Sequence, residues 1–353
     1  MHSPENNSPQ QLFDRAKKGL AQGIPFALYL KPGESELIGI FQGDDSLVRD
    51  EGFQGRGFLL APFDLSRGMT LIRADAVMRS RFSQGRPGPL KKVDPPHGGE
   101  REHLELLGKA LEELKSGRLK KVVLSKKWEL PLQKGPIDIF KSLLQRYPAA
   151  FCHLVHHPGL GTWCGATPES LVRIKDREFR SMSLAGTLPF LEGENPNWGA
   201  KELEEQHMVT QYIVERLGPF MDRLEFGAQE SRRAGQLWHL CSQIKGTLSA
   251  EADLGELVKS LHPTPAVGGI PKQQALDFIL ENENYDRTYY TGFLGEINLQ
   301  APRDISLFVN LRCMELKGDR ALVFAGGGIT SASDPYREWT EILNKSRTVL
   351  GAL

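Results

Sequence analysis

The sequence predicts an α+β fold, and three features carry that expectation. Short β-rich runs meet in pairs around turn residues, at "KDR" (175–177) and "KGD" (317–319). Long amphipathic helices alternate with these hairpins, a mixture that argues against a parallel doubly wound sheet. No internal repeat of roughly 20–50 residues marks a solenoid or a propeller.

Taken in order, the chain opens with a helix at 9–21 and strands such as "PFALYLK" and "ELIGIFQ". A Pro- and Gly-dense stretch, "QGRPGPLKKVDPPHGGERE" (84–102), reads as a linker or long surface loop. It separates an N-terminal part, 1–99, from the remainder, 100–353. Leu104, Leu107, Leu111 and Leu114 then recur at helical spacing, with Gly117 as the C-terminal cap. "LKKVVLSKKWEL" (119–130) follows as a strand rich in β-branched residues.

Composition excludes several functions. Lys plus Arg and Asp plus Glu number 44 each, so no net field draws in nucleic acid. No apolar run reaches the ~20 residues of a membrane span, and the polar N-terminus lacks the apolar core of a secretory signal. Cys152, Cys164, Cys241 and Cys313 fit neither zinc spacing nor a disulfide framework and read as reduced core thiols. A cytoplasmic protein is expected, and nothing calls for an assembly larger than a monomer.

Two helices carry acids on the wrong face for solubility. In "NWGAKELEEQHMVTQYIVERLGP" (197–219), Glu202 and Glu205 share a face that Val209 and Ile213 continue. In the C-terminal helix, Glu338, Glu341 and Lys345 share a face that Ile342 and Val349 continue. Inward carboxylates need partners. One hard divalent cation, magnesium for preference, would serve both pairs; lysine or arginine salt bridges are the alternative.

"FAGGGITSASDP" places three glycines before that last helix. Counting symmetrically about Gly318 sets Arg312, in a strand "LFVNLRCMEL" (307–316), opposite Phe324. A guanidinium beside a glycine loop of free amides at a helix start would take a carboxylate or a phosphate. A nucleotide P-loop is excluded, because no Gly-Lys-Ser/Thr follows the glycines.

"WCGATPESLVRI" puts Glu169 after Pro168, on the first arm of the "KDR" hairpin and opposite Ser183 when counted about Asp176. Glu169 could be an acid or a surface strand residue. Lys120 and Lys121 occupy opposite faces of their strand, and the pattern does not choose between them. A lysine that works as a base near neutral pH must give up a proton it ordinarily holds to about pH 10.4. The histidines of "HLVHH" (153–157) lack the glutamate of a zinc motif.

With these pieces in place, the chain resembles the chorismate-utilising enzymes, which comprise anthranilate, aminodeoxychorismate, salicylate and isochorismate synthases. "KVVLSK", "GATPESL", "SLAGT", "KELEEQH", "LWHL", "HPTPAVGG", "LRCMEL" and "AGGGITSASDPYREWTEILNK" appear in the family's order across roughly 100–353. Residues 1–99 match poorly. The details look most like isochorismate synthase: Lys121 stands where those enzymes carry a base, and Ala185 in "SLAGT" supplies no amine nucleophile. The family's Glu-His pair is interrupted here as Glu205-Gln206-His207.

The resemblance implies a core of two packed antiparallel β-sheets flanked by helices, with chorismate as substrate and Mg2+ as cofactor. Lys121 would activate water and Glu169 would protonate the departing hydroxyl. Glu205 and Glu341, supported by Glu202 and Glu338, would hold the metal. Arg312 and the amides of Gly327 and Gly328 would orient the enolpyruvyl carboxylate, with Lys345 at hand. Ala185, Gly186, Thr187 and His239 would line the ring pocket. The product would serve menaquinone or siderophore synthesis. Salicylate synthase, a silent small-carboxylate sensor and a phosphate-binding transferase are the rival readings.

Overall fold

A computed structural model describes residues 7–83, 94–190, 192–193, 195–234 and 237–353. The first helix spans Pro9–Gln22; Ser8 and Gln11 cap it reciprocally, and Pro9 takes the first helical position, where its missing N–H costs nothing.

Among the described residues the strands form two antiparallel sheets. The nine-stranded sheet runs Gly269–Ile270, Lys121–Pro131, Arg320–Ile329, Cys313–Lys317, Gly161–Thr167, Phe151–His157, Phe26–Leu30, Glu36–Phe41, Ala76–Arg81. The ten-stranded sheet runs Met221–Phe226, Leu237–Leu248, Glu178–Pro189, Ser170–Lys175, Asp304–Val309, Phe293–Ile297, Gly57–Ala61, Thr70–Arg73, Val48–Arg49, with Glu230–Ala234 also beside Leu237–Leu248. Strands from 26–81 complete both sheets, so the N-terminal part belongs to the same body.

The sheets meet through an aromatic layer. Tyr29, Phe151 and Phe324 from the first face Phe58 and Phe308 from the second, and Phe151 stacks on Phe308 at 4.0 Å. Alternation along each strand sends the other residues outward: on Phe26–Leu30, Ala27 and Tyr29 point between the sheets, whereas Phe26, Leu28 and Leu30 pack with Leu12, Phe13 and Phe140 of covering helices. On the second sheet, Val209 and Ile213 join Leu257 and Val258 in a matching outer layer. This is the α+β sandwich that the resemblance implies.

Four local expectations are corrected. "LFVNLRCMEL" is two strands in different sheets, Asp304–Val309 and Cys313–Lys317. Asn310 holds the crossing, with its N–H on Gly292 O and its amide on Tyr289 O, and Arg312 adopts φ +49, which breaks a strand. Lys317 pairs with Arg320, so the turn has two residues and the count about Gly318 is one residue out; Arg312 does not face Phe324. Lys175 likewise pairs with Glu178 around Asp176 at φ +56, and Glu169 precedes the strand Ser170–Lys175 instead of lying on it opposite Ser183.

The fourth correction concerns the glycines. Gly326, Gly327 and Gly328 belong to the strand Arg320–Ile329 and pair with Ser125, Leu124 and Val123. They form no loop. Of the stretch 84–102, residues 84–93 lie outside the described residues, and the following helix already begins at Glu100.

Candidate active site

The crossing at Asn310–Arg312 delivers a guanidinium into a cavity of about 70 Å³ beside the glycine strand. Of the residues expected at the site, Glu169, Ala185, Gly186, Thr187, Glu205, His239, Arg312, Gly328 and Lys345 line it. A larger cavity of about 520 Å³ also reaches Thr187, and Glu202, Glu338 and Glu341 line that one. Lys121 and Gly327 line neither.

Burial separates the two lysines that the pattern left equivalent. Lys120 is exposed, whereas Lys121 is 1% exposed and its Nζ lies 2.9 Å from Glu205 Oε1. Gly328 makes room for that pair: a Cβ there would lie 2.6 Å from Glu205 Oε1 and 2.9 Å from Lys121 Cε. Burial raises the Glu205 carboxyl, but Lys121, with Lys345 and Lys201, outweighs it and holds the group below the usual carboxylate range.

Glu169 has the opposite character. It follows Pro168 in the break between two strands, is 4% exposed, and reaches the cavity. Burial pushes it up to about 8, only partly offset by Lys121, Lys345 and Arg312. It is therefore a carboxylic acid at neutral pH, able to donate a proton.

The glycine strand offers its edge rather than a loop. Val123 and Ser125 turn their N–H groups away from it, to Gly268 O and Glu283 Oε1. By the alternation of an antiparallel ladder, Gly327 therefore spends its amide on Leu124, while Gly326 and Gly328 turn theirs to the open edge. Lys345 Nζ donates to Gly326 O there at 3.1 Å and meets Glu341 Oε1 at 2.5 Å. Arg312 Nη1 donates to Lys345 O at 3.0 Å. Arg312 and the Gly328 amide thus border one cavity, and Gly327 is removed from the expected set.

A bulge shapes the ring side. Register slips between Ala185 and Thr187, and the extra residue, Gly186, takes φ +72. A side chain there would crowd Glu202, whose Cβ lies 3.2 Å from the added carbon. Gly186 O accepts from His239 Nδ1 at 3.1 Å, which fixes the proton on that nitrogen. Burial, then Arg312 and Lys345, lower His239 to about 3, so the ring is neutral. Gln206 is 1% exposed; its amide lies 2.9–3.0 Å from the hydroxyls of Ser183, Thr210 and Ser242 and accepts from Gln229. It braces the helix Ala200–Leu217 on the sheet next to Glu205.

The family of chorismate-binding enzymes matches residues 73–351. The chain belongs to that family. A provisional isochorismate synthase, MenF, of Mycobacterium tuberculosis is 34% identical over 321 residues, 83% of this chain and 84% of that protein. Isochorismate synthase MenF of Haemophilus influenzae is 30% identical over 273 residues, 73% of this chain and 62% of that one. The solved structure of a provisional 2,3-dihydroxybenzoate-specific isochorismate synthase, DhbC, of Bacillus anthracis shares the fold, with a TM-score of 0.83 over 97% of this chain and 98% of that chain at 24% identity.

In this chorismate-binding enzyme the four glutamates expected to hold a metal do not form a ready cluster: among the described residues no three acidic, His or Cys side chains group as metal ligands. The lysine alternative is what the side chains adopt. Glu205 pairs with Lys121, Glu341 with Lys345, and Glu338 with Lys201 at 2.5 Å, while Glu202 caps its own helix at Gly199 N–H. The site still fits a hard cation. Glu338 Oε2 is buried without a partner, and burial, then the neighbouring Glu341, raises that carboxyl. Lys201 stands in for the cation: burial works against its charge, yet Glu338, Glu341 and Glu205 together hold it above its usual value.

Sequence reasoning missed Lys201, along with Tyr290, Thr291 and Val267 in the cavity wall. Lys201 sits four residues before Glu205, a spacing that ordinarily reads as a surface helix pair. The wall residues come from the segments 266–267 and 290–291, which carry no periodicity.

Proposed function

We propose that the chain is an isochorismate synthase, converting chorismate reversibly to isochorismate. The reading is carried by Glu169, a buried acid kept protonated up to about pH 8 at the wall of a cavity that the Lys121–Glu205 pair also borders through Glu205. Ala185 supports it too, since the bulge offers no amine to the ring.

Lys121, once released from Glu205 and as the free amine, takes a proton from a water molecule as the water oxygen bonds to the ring carbon beside the carboxylate-bearing one. The ring double bonds shift, and the hydroxyl across the ring leaves as water with the proton of Glu169. One water enters and one departs. Arg312, Lys345 and the Gly328 amide orient the enolpyruvyl carboxylate; Thr187 and neutral His239 border the ring. Glu205 and Glu341, with Glu202 and Glu338 in support, would hold magnesium, which when bound would neutralise charge at the ring carboxylate. The enzyme acts as a cytoplasmic monomer in this reading. No helix among the described residues is long and apolar enough to cross a membrane.

Product analysis after incubation with chorismate and magnesium tests the reading. An isomer of unchanged mass is expected. Salicylate with pyruvate assigns salicylate synthase instead, and tight chorismate binding without turnover assigns a sensor.

A further inference from the structure

A third cavity, of about 230 Å³, shares no lining residue with the catalytic one. The Arg287–Glu283 pair, 2% and 1% exposed in its side chains, forms its floor. That floor braces a wall of the active site from behind: Arg287 donates to Val123 O at 2.7 Å, Val267 O at 3.0 Å and Thr291 Oγ1 at 3.3 Å, all three from residues lining the catalytic cavity.

The chemistry of this third cavity is amphipathic. Phe63, beneath the Arg287 guanidinium at 4.6 Å, and Ile279 line it as buried apolar groups, and Leu280 beside them is 61% exposed. The mouth carries Asp64 and Asp286 with Arg67 between them, its Nη1 2.5 Å from Asp286 and its Nε 4.0 Å from Asp64. Glu283 and Arg287 cancel, so two carboxylates oppose one guanidinium at the rim. The Arg67 side chain is 52% exposed, and ion pairs that open to water contribute little, so it is displaced cheaply.

We propose that this cavity binds a small organic cation, an ammonium on an aryl or alkyl body, which replaces Arg67 between Asp64 and Asp286 and is felt in the catalytic cavity through Arg287. The apolar body lies against Leu280, with Phe63 and Ile279 at the depth of the cavity. The connecting turn is strained: Thr288 and Thr291, both β-branched, hold φ +48 and +61. A load on Arg287 therefore acts at the root of a turn held in an unusual conformation, and any effect on chorismate affinity is reciprocal.

Titration calorimetry of the full chain with benzylamine, phenylacetate and benzyl alcohol, without chorismate or metal, reads binding independently of turnover. Benzylamine is expected to bind at least about ten-fold more tightly than the other two. Arg67→Ala removes the internal competitor and should tighten benzylamine binding. The Asp64→Asn/Asp286→Asn pair keeps hydrogen-bond acceptors at both turns and should weaken it by about ten-fold, with melting temperature and turnover near those of the parent. Saturating benzylamine should shift the chorismate KM by about two-fold or more in the parent and not in the double variant. No benzylamine binding, preference for phenylacetate, or weaker binding in Arg67→Ala overturns the cation site. Binding with an unmoved KM overturns the link to catalysis.

Discussion

Lys121 and Glu205 hold each other at 2.9 Å, so the expected base and an expected metal ligand are partners of one another. As paired, the Lys121 ammonium cannot take up a proton, and Glu205 has one of its two oxygens engaged. If Lys121 is the base, its availability depends on what else occupies Glu205.

Lys121→Ala should lower turnover by about 10²–10⁴-fold, the range for loss of a general base, while chorismate still binds by calorimetry. A variant that keeps parental turnover contradicts the base assignment.

Glu169, if it is the acid, should set the alkaline limb of the rate. Its pKa is raised from 4.5 to about 8, so the acid form required for donation is present below about pH 8 and lost above it. The rate with chorismate should fall through that pH. The same raised value makes a stability contribution that is fully present below 4.5 and fades as pH rises through about 8. Denaturation of Glu169→Gln should lack that fade; parallel pH profiles for the two proteins would contradict it.

Gly328→Ala pushes a methyl group into the Lys121–Glu205 pair. Overpacking of this kind costs about 1–3 kcal/mol and displaces the base, so turnover should fall steeply in a chain that still folds. Full activity in a folded variant would show that the pair is not needed where it stands.

How much of this was legible in the sequence depends on what kind of information each feature uses. The inward acidic faces of Glu202, Glu205, Glu338 and Glu341 follow from helical periodicity, a local property. Arg312 was found for a partly wrong reason: its chemistry was readable, but its position comes from a sheet-to-sheet crossing that no alternation pattern announces. The glycines misled because Gly-Gly-Gly is read as a loop, whereas here small residues let a strand run beneath Lys121 and Glu205. Lys201 was invisible because its partner, Glu338, lies on a different helix. The one-residue errors at Asp176 and Gly318 arose from assuming odd turns where two-residue turns formed.

Glu341→Gln keeps an acceptor for Lys345 but removes a charge from the proposed metal site. Magnesium binding, followed by calorimetry as well as by activity, should need markedly higher concentrations. An unchanged titration counts against Glu341 as a ligand.

Turnover of chorismate in water enriched with oxygen-18 tests the central chemistry most directly. If Lys121 activates water and Glu169 releases the old hydroxyl, the isochorismate formed in a single turnover carries one heavy oxygen in its new ring hydroxyl. Isochorismate formed without the label would mean that the hydroxyl migrates within the substrate, and the assignment of base and acid to opposite ends of one hydration would be wrong.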